Sequence, residues 1–126
     1  MFYLFQLQAV VVSGALFDLF YRYGFYVDDQ APIYTSRSGM SRRKGGNPSN
    51  DPAWQAAYIA RIEDSYHTTK LHPCGVAFSL AEDSANGINL YEGYLHLKGL
   101  EKERPVLYPD AGGEWNSDKL RLSAEQ

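Results

Sequence analysis

Residues 51–67, DPAWQAAYIARIEDSYH, carry the strongest secondary-structure signal in this chain. Asp51 belongs to the residue types that cap helix N-termini, and Pro52 suits the first helical position. The apolar residues that follow recur at helical spacing and share one face: Trp54, Ala57, Tyr58, Ile62 and Tyr66. The pattern ends near His67, because two threonines and then a His-Pro pair follow it. We therefore predict one main helix over 51–67 with one buried face.

The sequence after this helix favours antiparallel strands. Apolar residues alternate over 76–80, and a Gly- and Asn-containing turn follows at 83–87. In 88–97, large apolar side chains fall on both faces of a two-residue period, which is typical of a strand covered on both sides. Further short strands are predicted at 105–108 and 119–122.

The sequence before the helix predicts a strand, a short helix and two brief strands. Residues 2–12 are rich in aromatic and β-branched side chains, as strands are. Residues 15–23 have helical spacing and are followed by Gly24, a residue that commonly ends helices. A strand continuing through to Val27 stays open as an alternative. Brief strands are expected at 25–27 and 33–35.

The apolar run 2–21 is about long enough to cross a bilayer as a helix. It contains Gln6, Gln8 and Asp18, and an aspartate at the membrane centre costs about 2.5–3.5 kcal/mol. A membrane partner is therefore not expected.

Together these elements predict an α+β fold. An antiparallel sheet of about five to six strands packs against the main helix, 51–67, and a short N-terminal helix. We expect residues 1–126 to form a single domain, because this is the length of one ordinary domain. Within it, 36–50 is predicted to be a long basic Gly/Ser loop and 123–126 a frayed tail.

Composition excludes some classes of protein and narrows the expected location. The chain is 44% apolar and 21% charged, as globular proteins are. A net charge of −3 argues against a general nucleic-acid-binding domain, which is expected to be basic. The single cysteine, Cys74, cannot form an internal disulfide, which fits a reducing compartment. We therefore predict a cytoplasmic protein.

The predicted loop holds a cluster of cations that could bind a partner. Its basic residues, which have no acidic neighbour within 36–46, are Arg37, Arg42, Arg43 and Lys44. Guanidinium groups match carboxylate and phosphate geometry, so an acidic protein surface, a phosphate or a nucleic acid could bind there. The sequence is not a P-loop. A solvated loop whose charges only aid solubility is the alternative interpretation.

A second group of candidates lies after the main helix. The segment SYHTTKLHPCG contains His67, His72 and Cys74, and His96 follows later. The spacing of these residues matches no standard zinc site, so no metal and no cofactor are predicted. A Cys/His hydrolase would need a base beside a thiol of low pKa, which the sequence cannot show.

Acidic residues occur mostly singly or as adjacent pairs, among them Asp28-Asp29, Glu63-Asp64 and Glu82-Asp83. Neighbours in sequence usually point apart, so these pairs are weak candidates for an acid–base dyad. The sequence also contains no G-x-S-x-G, H-E-x-x-H or G-x-G-x-x-G motif.

The function predicted from these observations is non-enzymatic. We expect a small inhibitor or assembly component, of the kind that viruses and mobile elements encode. It would bind a protein partner through aromatic surface and the basic loop, and a homo-oligomer is also expected. The alternative is a small ligand-binding domain or hydrolase with a pocket near His67, His72 and Cys74.

Overall fold

The computed structural model of the protein describes residues 3–8, 14–35 and 46–119. Strands and helices alternate along the chain: β1 Tyr3–Gln8, α1 Gly14–Arg22, β2 Phe25–Gln30, α2 Gln55–Thr69, β3 Gly75–Ser79, α3 Ile88–Leu100 and β4 Val106–Leu107. Three 3-10 turns accompany them: Pro48–Asn50, Pro52–Trp54 and Pro109–Ala111. None of the helices among these residues is long and apolar enough to cross a membrane.

The strands form one four-stranded sheet in the order β1-β2-β3-β4, and every neighbouring pair is parallel. Parallel neighbours need a crossover connection, and each of the three helices lies within one such connection. The repeating unit is therefore a strand followed by a helix. The predicted antiparallel sheet of five to six strands is wrong.

The main cause of this error is the segment predicted as a strand at 88–97, which is the helix α3. Its sequence is apolar on nearly every side, so a two-residue period also shows two apolar faces. As a helix it buries Leu90, Gly93 and Leu97, which are spaced by three and four residues. Because this segment is helical, no hairpin forms across 83–87, and the chain crosses over to reach β4 in a parallel direction.

The main helix is confirmed as α2, with the Pro52–Trp54 turn directly before it. The Asp51 side chain caps that turn, since Oδ1 accepts a hydrogen bond from the Ala53 amide at 3.0 Å. The N-terminal helix is also confirmed, and Gly24 after it has a left-handed φ of 76°. Of the segment 119–122 only Lys119 lies within the described residues, and 123–126 lies wholly outside them.

All three helices lie on one face of the sheet. Val27 of β2 packs with Phe17 of α1, and the Asp29 carboxylate accepts hydrogen bonds from two hydroxyls of α2. Asp28 points to the opposite face, where its carboxylate accepts a hydrogen bond from Ser79 Oγ of β3 at 2.8 Å. The helices therefore cover one face of the sheet, which carries Asp29 among apolar residues, and the opposite face carries polar side chains such as Asp28 and Ser79.

The larger core cluster lies between the sheet and helices α2 and α3. Its large members are Ile33, Tyr58, Ile62, Tyr66, Phe78, Leu80, Leu90, Leu97, Val106 and Tyr108. Gly93 brings α3 close to α2, because a Cβ atom there would lie 2.5 Å from Ile62 Cδ1. Strands β3 and β4 are thus fixed against both helices.

A charged cluster closes the amino-terminal edge of the sheet. The Arg104 guanidinium donates to Glu101 Oε2 at 3.0 Å, to the Gly75 carbonyl at 3.0 Å and to the Lys70 carbonyl at 3.1 Å. The Glu101 carboxylate, which is 7% exposed, also accepts from the amides of Glu103 and Arg104. These bonds join the segments that enter β3 and β4.

This cluster predicts a dependence of stability on pH. Burial alone would raise the pKa of Glu101, but hydrogen bonds from Arg104 and Glu103 outweigh it, and the net pKa lies below 4.5. A lowered pKa in the folded state means that the contribution to stability is complete above about pH 4.5 and is lost as the pH falls through the folded pKa.

Arg104→Gln is therefore expected to lower the free energy of unfolding by about 2–3 kcal/mol at pH 7. Its stability should also fall less steeply than that of the wild type below about pH 4.5. Urea unfolding at pH 7 and at pH 4 measures both effects. Lys102→Gln, at an exposed neighbouring position, is the control. Equal acid sensitivity of Arg104→Gln and the wild type would contradict this role.

Candidate functional site

The carboxyl ends of the parallel strands meet at one edge of the sheet, which is where α/β proteins commonly bind ligands. Residues 31–35 leave β2 at this edge, and Tyr108 follows β4 there. After β3 come Leu80 and Ala81, and then the acidic pair Glu82-Asp83. We call residues 82–84 the acidic turn.

Asp83 has an unusual backbone in this turn. Its φ is 40°, and it is the one non-glycine residue with a positive φ among 3–8, 14–35 and 46–119. Such a conformation costs on the order of 1–3 kcal/mol, and such strain is concentrated at active sites and ligand clamps. The strained backbone makes Asp83 the leading candidate for a functional carboxyl group.

One side of the acidic turn is fixed by the segment that follows β2. The Glu82 amide donates to the Ile33 carbonyl at 2.8 Å, and Glu82 forms an isolated parallel bridge with Tyr34. The Ser84 hydroxyl donates to the Glu82 carbonyl at 2.8 Å and accepts from the Thr35 amide at 3.0 Å. A single hydroxyl thus joins the turn to its neighbour.

The other side is fixed by the segment that follows β4. The buried Tyr108 hydroxyl donates to the Ser84 carbonyl. Asn86, two residues further on, exchanges two amide hydrogen bonds with the fully buried Asn116, at 2.9 and 2.8 Å. The strained turn is therefore held from both sides, which is how a protein keeps a reactive group in one geometry.

The residues of the predicted alternative pocket occupy two different places. His67 Nε2 lies 3.2 Å and His96 Nε2 lies 3.1 Å from oxygens of Glu63, a carboxylate between α2 and α3. Hydrogen bonds from His67 and then from His96 lower the pKa of Glu63. His72 stacks on the Phe17 ring at 4.5 Å.

Cys74, like His72, contacts Phe17, and it lies directly before β3. Its Sγ lies 3.6 Å from the carbonyl of Phe17, and burial raises the pKa of the thiol. A raised pKa leaves less reactive thiolate. In the described part of the chain, no group of three or more His, Cys, Asp or Glu is arranged to hold a metal ion. The histidines and Cys74 therefore form no common site, and the acidic turn is the stronger candidate.

The four predicted partner-binding cations lie outside the described residues. They are Arg37, Arg42, Arg43 and Lys44. Their role stays a prediction.

Sequence reasoning undervalued Glu82-Asp83 because adjacent acidic residues usually point apart. A usable signal was present, since the pair directly follows the apolar strand at 76–80. That position becomes significant only once the strands are known to be parallel, because their carboxyl ends then share one edge.

Residues 13–124 match the family described as glycosyl hydrolases family 2, TIM barrel domain. This chain belongs to that family. The strand–helix repeat, the parallel sheet in sequential order and the helices on one face are all features of a (β/α)8 barrel. Four of the eight strands of such a barrel are present among the described residues of this family 2 chain.

Curated relatives of this family 2 chain are β-galactosidases. The Klebsiella pneumoniae protein is 36% identical over 98 residues, which are 78% of this chain and 9% of that protein. The Vibrio cholerae serotype O1 protein is 36% identical over 97 residues, which are 76% of this chain and 9% of the relative. The chain therefore spans about 9% of the length of these relatives.

Solved structures of β-glucuronidases share the fold. One from an uncultured Clostridium species superposes with a TM-score of 0.67 at 19% identity, covering 83% of this chain and 19% of that one. The Bifidobacterium dentium enzyme, complexed with coumarin-3-O-glucuronide, gives 0.61 at 20% identity, covering 84% of this chain and 18% of that one.

These findings correct the predicted function. A family 2 glycosyl hydrolase domain with β-galactosidases as relatives is not expected to be a non-enzymatic interaction protein, a viral inhibitor or an assembly component. The alternative interpretation, which included a hydrolase, was closer. The sequence alone did not reveal this family, because catalytic groups in barrels come from the ends of separate strands and form no short motif.

Proposed function

We propose that this chain supplies part of the catalytic face of a glycosidase that cleaves β-glycosides, with β-galactosides as the first substrate class. The proposal is carried by one observation. Asp83, in a family of barrel hydrolases, lies after the carboxyl end of β3 in a strained backbone fixed by both neighbouring segments.

In this proposal the Asp83 carboxyl group is the general acid and base. Most glycosidases use two carboxyl groups at the bond that is cleaved. The acid gives its proton to the glycosidic oxygen as the bond from the sugar carbon to that oxygen breaks. In the ionised form it can then take a proton from the incoming water. The second carboxyl group, from the end of another barrel strand, bonds to the sugar carbon as the glycosidic bond breaks, and the oxygen of the water then replaces it on that carbon.

Hydrolysis of nitrophenyl glycosides by the complete barrel, which includes the strand that supplies the second carboxyl group, tests the proposed function directly. We expect release of nitrophenol from 4-nitrophenyl β-D-galactopyranoside, and from the β-D-glucuronide if the enzyme accepts an acidic sugar. The α-D-galactopyranoside is the control and should not be cleaved. A folded protein that releases nitrophenol from neither β-glycoside would contradict the proposal.

We also propose that the protein acts in the cytoplasm. The support is its one cysteine, Cys74, which is buried and unpaired. Assembly with other copies of the chain also stays a proposal, and light scattering would measure it.

A further inference from the structure

We propose that two buried side chains, Gln30 and Tyr108, position the Asp83 carboxyl group for proton transfer. The inference rests on the proposed glycosidase function and adds two positioning residues to it. Each side chain binds one backbone carbonyl of the segment 81–84, Gln30 before Asp83 and Tyr108 after it. The two side chains come from opposite sides of β3, since Gln30 ends β2 and Tyr108 follows β4.

Gln30 lies on the face of the sheet opposite the helices. Asp29 points towards α2, so the alternation of side chains along the strand turns Gln30 to the face that also carries Asp28. In a barrel this face is the interior. Gln30 Nε2 donates a buried hydrogen bond to the Ala81 carbonyl at 2.8 Å. The side-chain amide therefore holds the chain from the inside, at the point where it leaves β3.

The environment of the Gln30 amide is unfavourable for a purely stabilising role. Gln30 is 5% exposed, and its Oε1 atom is buried with no hydrogen-bond partner among the described residues. A buried acceptor without a partner costs free energy, so an amide buried for a single hydrogen bond adds little net stability. The hydrogen bond to Ala81 is therefore better explained by the geometry that it gives to the turn.

Tyr108 holds the other side of the turn. It is 1% exposed, and its hydroxyl donates to the Ser84 carbonyl. Its ring belongs to the larger core cluster between the sheet and the helices, so packing fixes the position of the hydroxyl. The peptide group that follows Ser84 is thus tied to the core.

Asp83 lies between these two held carbonyls with a φ of 40°. Such a backbone persists only where the surrounding structure holds it. The backbone angles of Asp83 set the direction of its Cα–Cβ bond and hence the place of its carboxyl group. Loss of either hydrogen bond should let the turn relax and move the carboxyl group away from the glycosidic oxygen. A displacement of about 1 Å at a reacting group can lower the rate about 100-fold.

Tyr108→Phe and Gln30→Met, each made in the complete barrel, test the inference through kcat/KM on two substrates. The leaving group of lactose needs a proton, whereas nitrophenolate leaves readily without one. We expect kcat/KM for lactose to fall by about 10- to 100-fold in each variant. For 4-nitrophenyl β-D-galactopyranoside it should fall far less. Equal losses on both substrates would overturn the inference, because a lost substrate contact or lost folded enzyme lowers both rates alike.

The matched control is Tyr66→Phe. It removes the same hydroxyl group from another buried tyrosine, which donates to the Leu100 carbonyl at 3.3 Å near the amino-terminal edge of the sheet. This variant should unfold at a lower urea concentration but keep the wild-type ratio of the two kcat/KM values. A loss confined to lactose in Tyr66→Phe would also contradict the inference, because the effect would not depend on the acidic turn.

Amide hydrogen exchange measures the turn without any substrate. The Glu82 amide donates to the Ile33 carbonyl at 2.8 Å, so its exchange rate reports opening of the acidic turn. We expect about tenfold faster exchange in Tyr108→Phe and no change in Tyr66→Phe. Exchange that ignores Tyr108 would overturn the inference even in an active glycosidase. Faster exchange in Tyr108→Phe, together with wild-type lactose hydrolysis by Asp83→Asn, would instead contradict the proposed function.

Discussion

Asp83→Asn is expected to lower kcat/KM for β-glycoside hydrolysis by about 10²- to 10⁴-fold, because the variant can neither give nor take the proton. Asparagine tolerates a positive φ better than most residues, so the acidic turn should keep its shape. The loss should be larger for lactose than for a nitrophenyl glycoside, since nitrophenolate leaves readily without protonation. Steady-state kinetics on both substrates measure the effect.

The control for this prediction is Asp64→Asn, an exposed carboxylate in the second half of α2, which leads to the amino-terminal end of β3. It should leave kcat/KM unchanged. Glu82→Gln tests the neighbouring carboxylate in the same turn. A rate in Asp83→Asn that matches the wild type on lactose would rule out Asp83 as the acid.

Phe78→Ala is expected to lower the free energy of unfolding by about 3–5 kcal/mol, the usual range for a fully buried phenylalanine. Phe78 is 2% exposed near the carboxyl end of β3. Its ring packs edge-on against Tyr66 at 5.0 Å, and the Arg104 guanidinium lies 4.8 Å from its centre. Truncation would leave a cavity between the sheet and α2. Urea unfolding at pH 7 measures the loss.

Phe25→Ala is the matched control, because it removes the same atoms from a half-buried position in β2. Its ring meets Phe20 edge-on at 6.1 Å, at one side of the smaller core cluster. We expect a clearly smaller loss there. Similar losses for the two variants would mean that the core beside β3 does not dominate stability.

The sequence alone determined the elements that have local signals. Asp51 and Pro52 marked the start of the main helical segment, and Gly24 marked the end of α1, because capping and left-handed turns depend on a few neighbouring residues. The strand that became β3 was also predicted, from alternating apolar residues over 76–80.

Tertiary structure decided that 88–100 is a helix and that the strands of the sheet are parallel. A segment that is apolar on most sides fits a covered strand and a covered helix equally well, so its pattern could not choose between them. The choice is made by Leu90 and Leu97, which reach the same core as Phe78 only from a helix. Once this segment is a crossover helix, β3 and β4 have to be parallel.

Tertiary structure also decided the candidate site. Thr35 and Ser84 are 49 positions apart, and their hydrogen bond exists only because β2 and β3 run side by side in the same direction. The sequence shows that an acidic pair follows a strand. It cannot show which segments surround that pair, because strand pairing depends on contacts between distant residues. The sequence thus shows that acidic residues follow a strand, and the parallel sheet brings the surrounding segments to the same edge.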